Sequence, residues 1–95
     1  MIEAVVLNPG DNIGVALVNL KSGVEVKIYG REGWIKLAGP IPYQHKFSLT
    51  PIDSGEEIIK DGVVIGKATQ DIEQGQHVHT HNMTGLRLKA KRQGG

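Results

Sequence analysis

An all-β fold is what this sequence predicts, and three observations carry the prediction. Apolar and polar residues alternate at period two in several short runs, the pattern of half-buried strands. The 13 glycines and four prolines among 95 residues demand frequent chain reversals. Aromatic residues are few (Trp34, Tyr29, Tyr43 and Phe47), so Val, Ile and Leu must build the core, and these favour strands. The length suits one domain with a modest core.

The elements follow in order. Glu3–Leu7 reads as a first strand, stopped by the turn signal Asn8-Pro9-Gly10-Asp11. Ile13–Val18 is a near-continuous apolar run, too short and too close to turns for a helix. Val24–Ile28 alternates cleanly between apolar and charged residues, so one face is buried and one is wet. Trp34–Leu37 is a short strand, and Gly39-Pro40-Ile41-Pro42 then blocks regular pairing, because proline has no amide donor. His45–Leu49 is the next strand. Glu56–Ile59 and Val63–Ile65 flank Asp61-Gly62, a strong hairpin signal. A single helical turn is conceivable at Pro51–Ser54; no longer segment has helical periodicity.

One phrase recurs. Leu20–Val26, Ile52–Ile58 and Ile72–Val78 each place an aliphatic residue three before a glycine and another three after it. A glycine with positive φ in a tight turn, anchored at both ends in the core, accounts for the form. The spacing is too irregular for a solenoid.

Composition narrows the function classes. Without cysteine there is neither a disulfide nor a thiolate metal site, which is compatible with a cytoplasmic protein. The start, Met1-Ile2-Glu3-Ala4, lacks a signal-peptide pattern, and no apolar run approaches the roughly 20 residues that span a bilayer. A net charge of +1 predicts neither nucleic acid nor a membrane surface as partner. The chain divides at sequence level into a domain over 1–84 and a basic tail over 85–95, where Arg87, Lys89, Lys91 and Arg92 stand without any acid. Such a tail is either solvated or a docking arm.

The chemistry concentrates in Gln76-His77-Val78-His79-Thr80-His81-Asn82, which holds three of the four histidines. Alternation with Val78 and Thr80 predicts a strand presenting His77, His79 and His81 on one face. On an ideal strand neighbouring imidazoles start about 6.6 Å apart and the outer pair about 13 Å apart. Two of the three can then share an ion at roughly 2.1 Å, and the third cannot. The same row is also what plain exposed histidines, titrating normally, look like. Lys46 is a surface charge or a point contact for a carboxylate. Asn82 is either a turn residue or an amide contact for substrate hydroxyls.

Three ordered segments carry a family resemblance. Gln44-His45-Lys46-Phe47-Ser48-Leu49, Ile58–Ala68 and Asp71–Asn82 resemble conserved segments of the altronate/galactarate dehydratase family, and Asn8–Ala16 is similar to its opening. One departure is Gln44, where the family usually has glycine before the histidine. Residues 27–42 carry no match. The resemblance implies a SAF-type domain of β-clip fold, occurring as a small subunit beside a large dehydratase subunit. It further implies a lyase that removes water from altronate or galactarate, inactive without its partner.

In that reading His77, His79 and His81 are metal ligands, for a divalent ion such as Fe2+ or Mn2+. His45 and Lys46 are catalytic, and Lys46 and Asn82 meet the substrate. Dehydration of a hydroxy acid needs a base for the proton beside the carboxylate, stabilisation of the resulting charge, and an acid or metal for the leaving hydroxyl. The related alternative is a sulfolactate sulfo-lyase small subunit. A third possibility is a non-catalytic module that binds a sugar acid or assists assembly. Self-association into a homo-oligomer is left open by the sequence.

Overall fold

The computed structural model describes residues 2–85, and the basic tail expected over 85–95 lies, Gly85 apart, outside them. The described residues form nine short strands and no helix, as the sequence predicts. None of them belongs to a helix long and apolar enough to cross a membrane.

Strand β1 (Ala4–Val5) lies antiparallel to β2 (Ile13–Ala16) and parallel to β3 (Glu25–Tyr29). Beyond β3 lies β4 (Trp34–Lys36), and beyond β2 lie β5 (Lys46–Ser48) and β8 (His77–Val78). A second sheet has the order β6 (Glu57–Lys60), β7 (Val63–Ala68), β9 (Met83–Gly85). The clean alternation of β3 is realised: Val26 and Ile28 are buried while Glu25, Lys27 and Tyr29 are exposed. One core gathers Leu20, Val26, Ile28, Ile35, Leu37, Ile41, Phe47 and Leu49. A second unites Ile13, Ile52, Ile58, Ala68, Ile72 and Val78. Strand β2 contributes to both cores, Ala16 to the first and Ile13 to the second, and ties them together.

The recurring phrase is a structural unit. Gly23, Gly55 and Gly75 have φ of 82°, 90° and 83°, and all six anchoring aliphatics are buried. A fourth copy, Ile41–Phe47, escapes a search for glycine because Gln44 occupies the left-handed position, with φ 69°. In every copy the left-handed residue donates its amide to the end of a neighbouring strand. Gly23 reaches Leu37, Gln44 reaches Ala16, Gly55 reaches Ala68 and Gly75 reaches Ser48, at 2.8–3.0 Å. Each of those four residues returns a bond to the carbonyl just after the turn. The first aliphatics then pair across isolated bridges, Leu20 with Ile41 and Ile52 with Ile72. The four turns are thus two back-to-back pairs.

Pro51–Ser54 is not a helical turn. Ile52 exchanges two backbone bonds with Ile72 instead, at 2.8 and 2.7 Å. Asp61 and Gly62 make the expected hairpin turn, with φ of 55° and 76°, both positive as a type I′ turn requires. The Asp11 carboxylate accepts from both of their amides at 2.8 Å. Where the register of β6 and β7 shifts between Ile58 and Ile59, leaving Ile65 of β7 unpaired, the Asn12 amide braces β6 by donating to Glu57 O and accepting from Ile59 N.

Two substitutions test the turn unit. Gln44→Gly relieves a left-handed side chain and should raise stability by about 0.5–1 kcal/mol in urea unfolding. Gly75→Ala would set a Cβ 2.2 Å from the Lys36 carbonyl oxygen at positive φ. The same measurement should show a loss of more than about 2 kcal/mol.

Candidate functional site

Two of the four turns deliver the histidines. Turn Ile41–Phe47 places His45 just before β5, and turn Ile72–Val78 starts β8 at His77. In the sheet register Phe47 lies opposite His77. His45 is two residues before Phe47 and shares its face of the strand. The two imidazoles meet there, with His45 Nδ1 and His77 Nε2 2.8 Å apart.

The expected straight row of three histidines is not what forms. The strand ends at Val78, and residues 79–82 turn back on themselves. The cause is Asn82, which is fully buried. Its Nδ2 donates to His77 O at 2.8 Å and its Oδ1 accepts from His79 N at 2.9 Å. The backbone amides of Asn82 and Met83 both donate to His79 O, and Asn82 O receives Thr69 N on the way into β9. Period two in the sequence therefore runs on past the point where the backbone stops being a strand.

The turn brings the rings closer than a strand could. His77 and His81, about 13 Å apart on an ideal strand, have ring centroids 5.6 Å apart. His79 lies 5.5 Å from His77 and 4.9 Å from His45, with interplanar angles of 15° and 12°. His45 and His77 are 5.0 Å apart at 27°. All four histidines of the chain thus form one cluster, with His45, His77 and His79 stacked and His81 tilted at 36° to His77. His45 and His77 are half-buried, while His79 and His81 are exposed. Thr80 Oγ1 lies 3.3 Å from His79 Nδ1.

Lys46 and Asn82 sit differently from the sequence expectation. Lys46 is registered against Val15 and Val78, on the opposite face of β5 from Phe47 and His77. Its charge still reaches His77, as the weakest of the influences there. The Asn82 amide is spent on the turn and has no exposed surface, so it holds the histidines rather than facing a substrate.

Electrostatics favour neutral imidazole at the centre. Burial pushes the His77 pKa below 6.5, and the cationic forms of His45, His79 and His81 and the Lys46 ammonium push it further down. The hydrogen bond to His45 needs one donor and one acceptor, so both rings cannot be fully protonated together. Neutral imidazoles have lone pairs for a divalent ion of the first transition row. No group of three or more His, Asp or Glu side chains that could hold a metal ion forms among the described residues. Among the described residues, at most two of these side chains are therefore placed to share one ion.

A sequence profile describing the altronate/galactarate dehydratase SAF domain matches residues 2–86. The chain belongs to that family. Altronate dehydratase of Escherichia coli is 43% identical to this SAF domain over 72 residues, covering 76% of the chain and 14% of the relative. Altronate dehydratase of Bacillus subtilis is 38% identical over the same shares. The SAF domain thus spans about a seventh of the length of these two relatives. The (2R)-sulfolactate sulfo-lyase subunit alpha of Chromohalobacter salexigens is 34% identical over 93 residues, covering 86% of the chain and 93% of the relative. These relatives are lyases, and the sulfo-lyase is named as a subunit of a multi-subunit enzyme.

The lowered pKa of His77 has a consequence for stability. Unfolding returns the ring to its ordinary value of 6.5, so in acid the unfolded chain binds a proton that the folded chain refuses. Stability present above pH 6.5 should therefore fall as the pH drops towards the lowered folded value. Urea midpoints of the metal-free chain at about pH 7.5 and about pH 5.5 will show this, and His77→Asn should flatten the dependence.

Proposed function

We propose that this SAF domain is the small subunit of a sugar-acid dehydratase and lends its histidines to an active site shared with a large subunit. The observation that carries the reading is the gathering of His45, His77, His79 and His81 into one cluster on a domain of this family. An altronate- or galactarate-type substrate is anionic, and the exposed rings of His79 and His81 can receive its carboxylate as hydrogen-bond donors.

Two of His77, His79 and His81 would hold the divalent metal, Fe2+ or Mn2+, which would polarise the carboxylate and make the adjacent C–H more acidic. His45 is the histidine outside that ligand set. Its Nδ1 faces His77 Nε2, which fixes the ring and leaves Nε2 to carry or accept a proton. Lys46 adds positive charge behind the cluster. The large subunit supplies the remaining ligands and the base that removes the proton beside the carboxylate. Cytoplasmic operation fits a chain without cysteine.

A second reading has its own support. The alignment runs over 93% of a sulfo-lyase alpha subunit, and sulfolactate also presents a carboxylate beside the bond to be broken. Elimination of sulfite would use the same cluster.

Reconstitution decides between them. The chain is mixed with a large dehydratase-type subunit, and water loss from altronate or galactarate is assayed beside sulfite release from sulfolactate. The dehydratase reading expects turnover of the sugar acids. His79→Ala and His81→Ala should each lower the rate at least about tenfold, as for loss of a positioned acid–base or ligand group, and lower the bound metal. An unchanged rate and metal content in both variants would remove the site from the cluster.

A further inference from the structure

We propose that Asn82 is the positioning residue of the histidine cluster, acting through the backbone of His77 and His79. The proposal rests on the reading of the cluster as a site, yet it concerns geometry that exists without partner or metal.

Asn82 is one of two buried polar residues among those described, the other being Ser48. A buried amide is retained at a cost unless its donor and acceptor are both matched. Here both are matched, and both partners are backbone atoms of histidines. The reason His77 O needs a partner follows from the register. Ser48 N bonds to Gln76 O, so the next pair along, Phe47 with His77, is a non-hydrogen-bonded pair. The His77 carbonyl consequently points away from β5, and β8 is the last strand of its sheet. Asn82 Nδ2 meets that carbonyl, while Oδ1 takes the His79 amide two residues on.

This pair of bonds folds the segment so that His79 returns over His45 and His81 over His77. Without it the alternating sequence would extend as strand and spread the rings. No other side chain among the described residues bonds the backbone at both His77 and His79. Both side-chain hydrogen bonds of Asn82 go to backbone atoms and neither to a ring, so its role is indirect. Aspartate keeps the acceptor for His79 N and loses the donor to His77 O. Alanine loses both.

The test is nuclear Overhauser contact between the His45 and His79 ring protons in the metal-free chain, with amide exchange across β1, β2 and β5 as the control. Asn82→Ala should lose most of the ring contact while the exchange pattern of the sheet survives. Asn82→Asp should retain an intermediate fraction, a graded response that general destabilisation would not give. Should Asn82→Ala fail to fold, Asn82→Asp decides by the same measurement. Full ring contact in the folded variant overturns the proposal. The functional reading fails separately, through unchanged turnover of His79→Ala in the reconstituted enzyme. Where that reading holds, Asn82→Asp should lower kcat at least tenfold with little change in KM.

Discussion

The structure depends on one backbone constraint: a turn whose fourth residue is left-handed and whose two ends are pinned by buried apolar side chains, aliphatic except for Phe47. Positive φ lets the amide of that residue reach a neighbouring strand end at Leu37, Ala16, Ala68 or Ser48. Each turn therefore starts one strand and ends another. Because Leu20 pairs with Ile41 and Ile52 with Ile72, the turns also tie to each other. Strands of two to six residues persist because their ends are fixed this way. Single hairpins of such length would be marginal in water.

The turns also explain where chemistry can be placed. Between their apolar anchors they leave positions free of packing demands, and two of the four turns use those positions for His45 and His77. The turn at Gly23 carries Val24 and Glu25 at the matching places, and the turn at Gly55 carries Glu56 and Glu57. The histidine turns start strands that are neighbours, β5 and β8, so their imidazoles meet. The other two turns start strands in different sheets.

Much of this was legible in the sequence. Alternation over Val24–Ile28, the Asp61-Gly62 hairpin and three of the four turns follow from local pattern, because local sterics decide them. The sheet order does not: parallel pairing of β1 with β3 joins residues far apart in sequence, and no short-range signal records it. The fourth turn is hidden because Gln44 adopts a conformation in which glycine is the usual signal. At the site, the four histidines and Asn82 were identifiable as residues, and their arrangement was not. Period two continues to His81, but one buried side chain ends the strand after Val78. The side of β5 that Lys46 occupies follows from the alternation rule once the register is known. Adjacency to His45 in sequence points the opposite way.

The Asn82 amide has a further effect at the boundary of the sheet. An outermost strand with free carbonyls and amides is a template on which another chain can add, and proteins guard such edges. Strand β8 is two residues long, and its outward carbonyl at His77 is already occupied from within. The acceptor that an added strand would need at His77 is therefore already taken. The side chain that shapes the cluster thereby also makes this edge a poorer template for another strand, beside the exposed rings of His79 and His81.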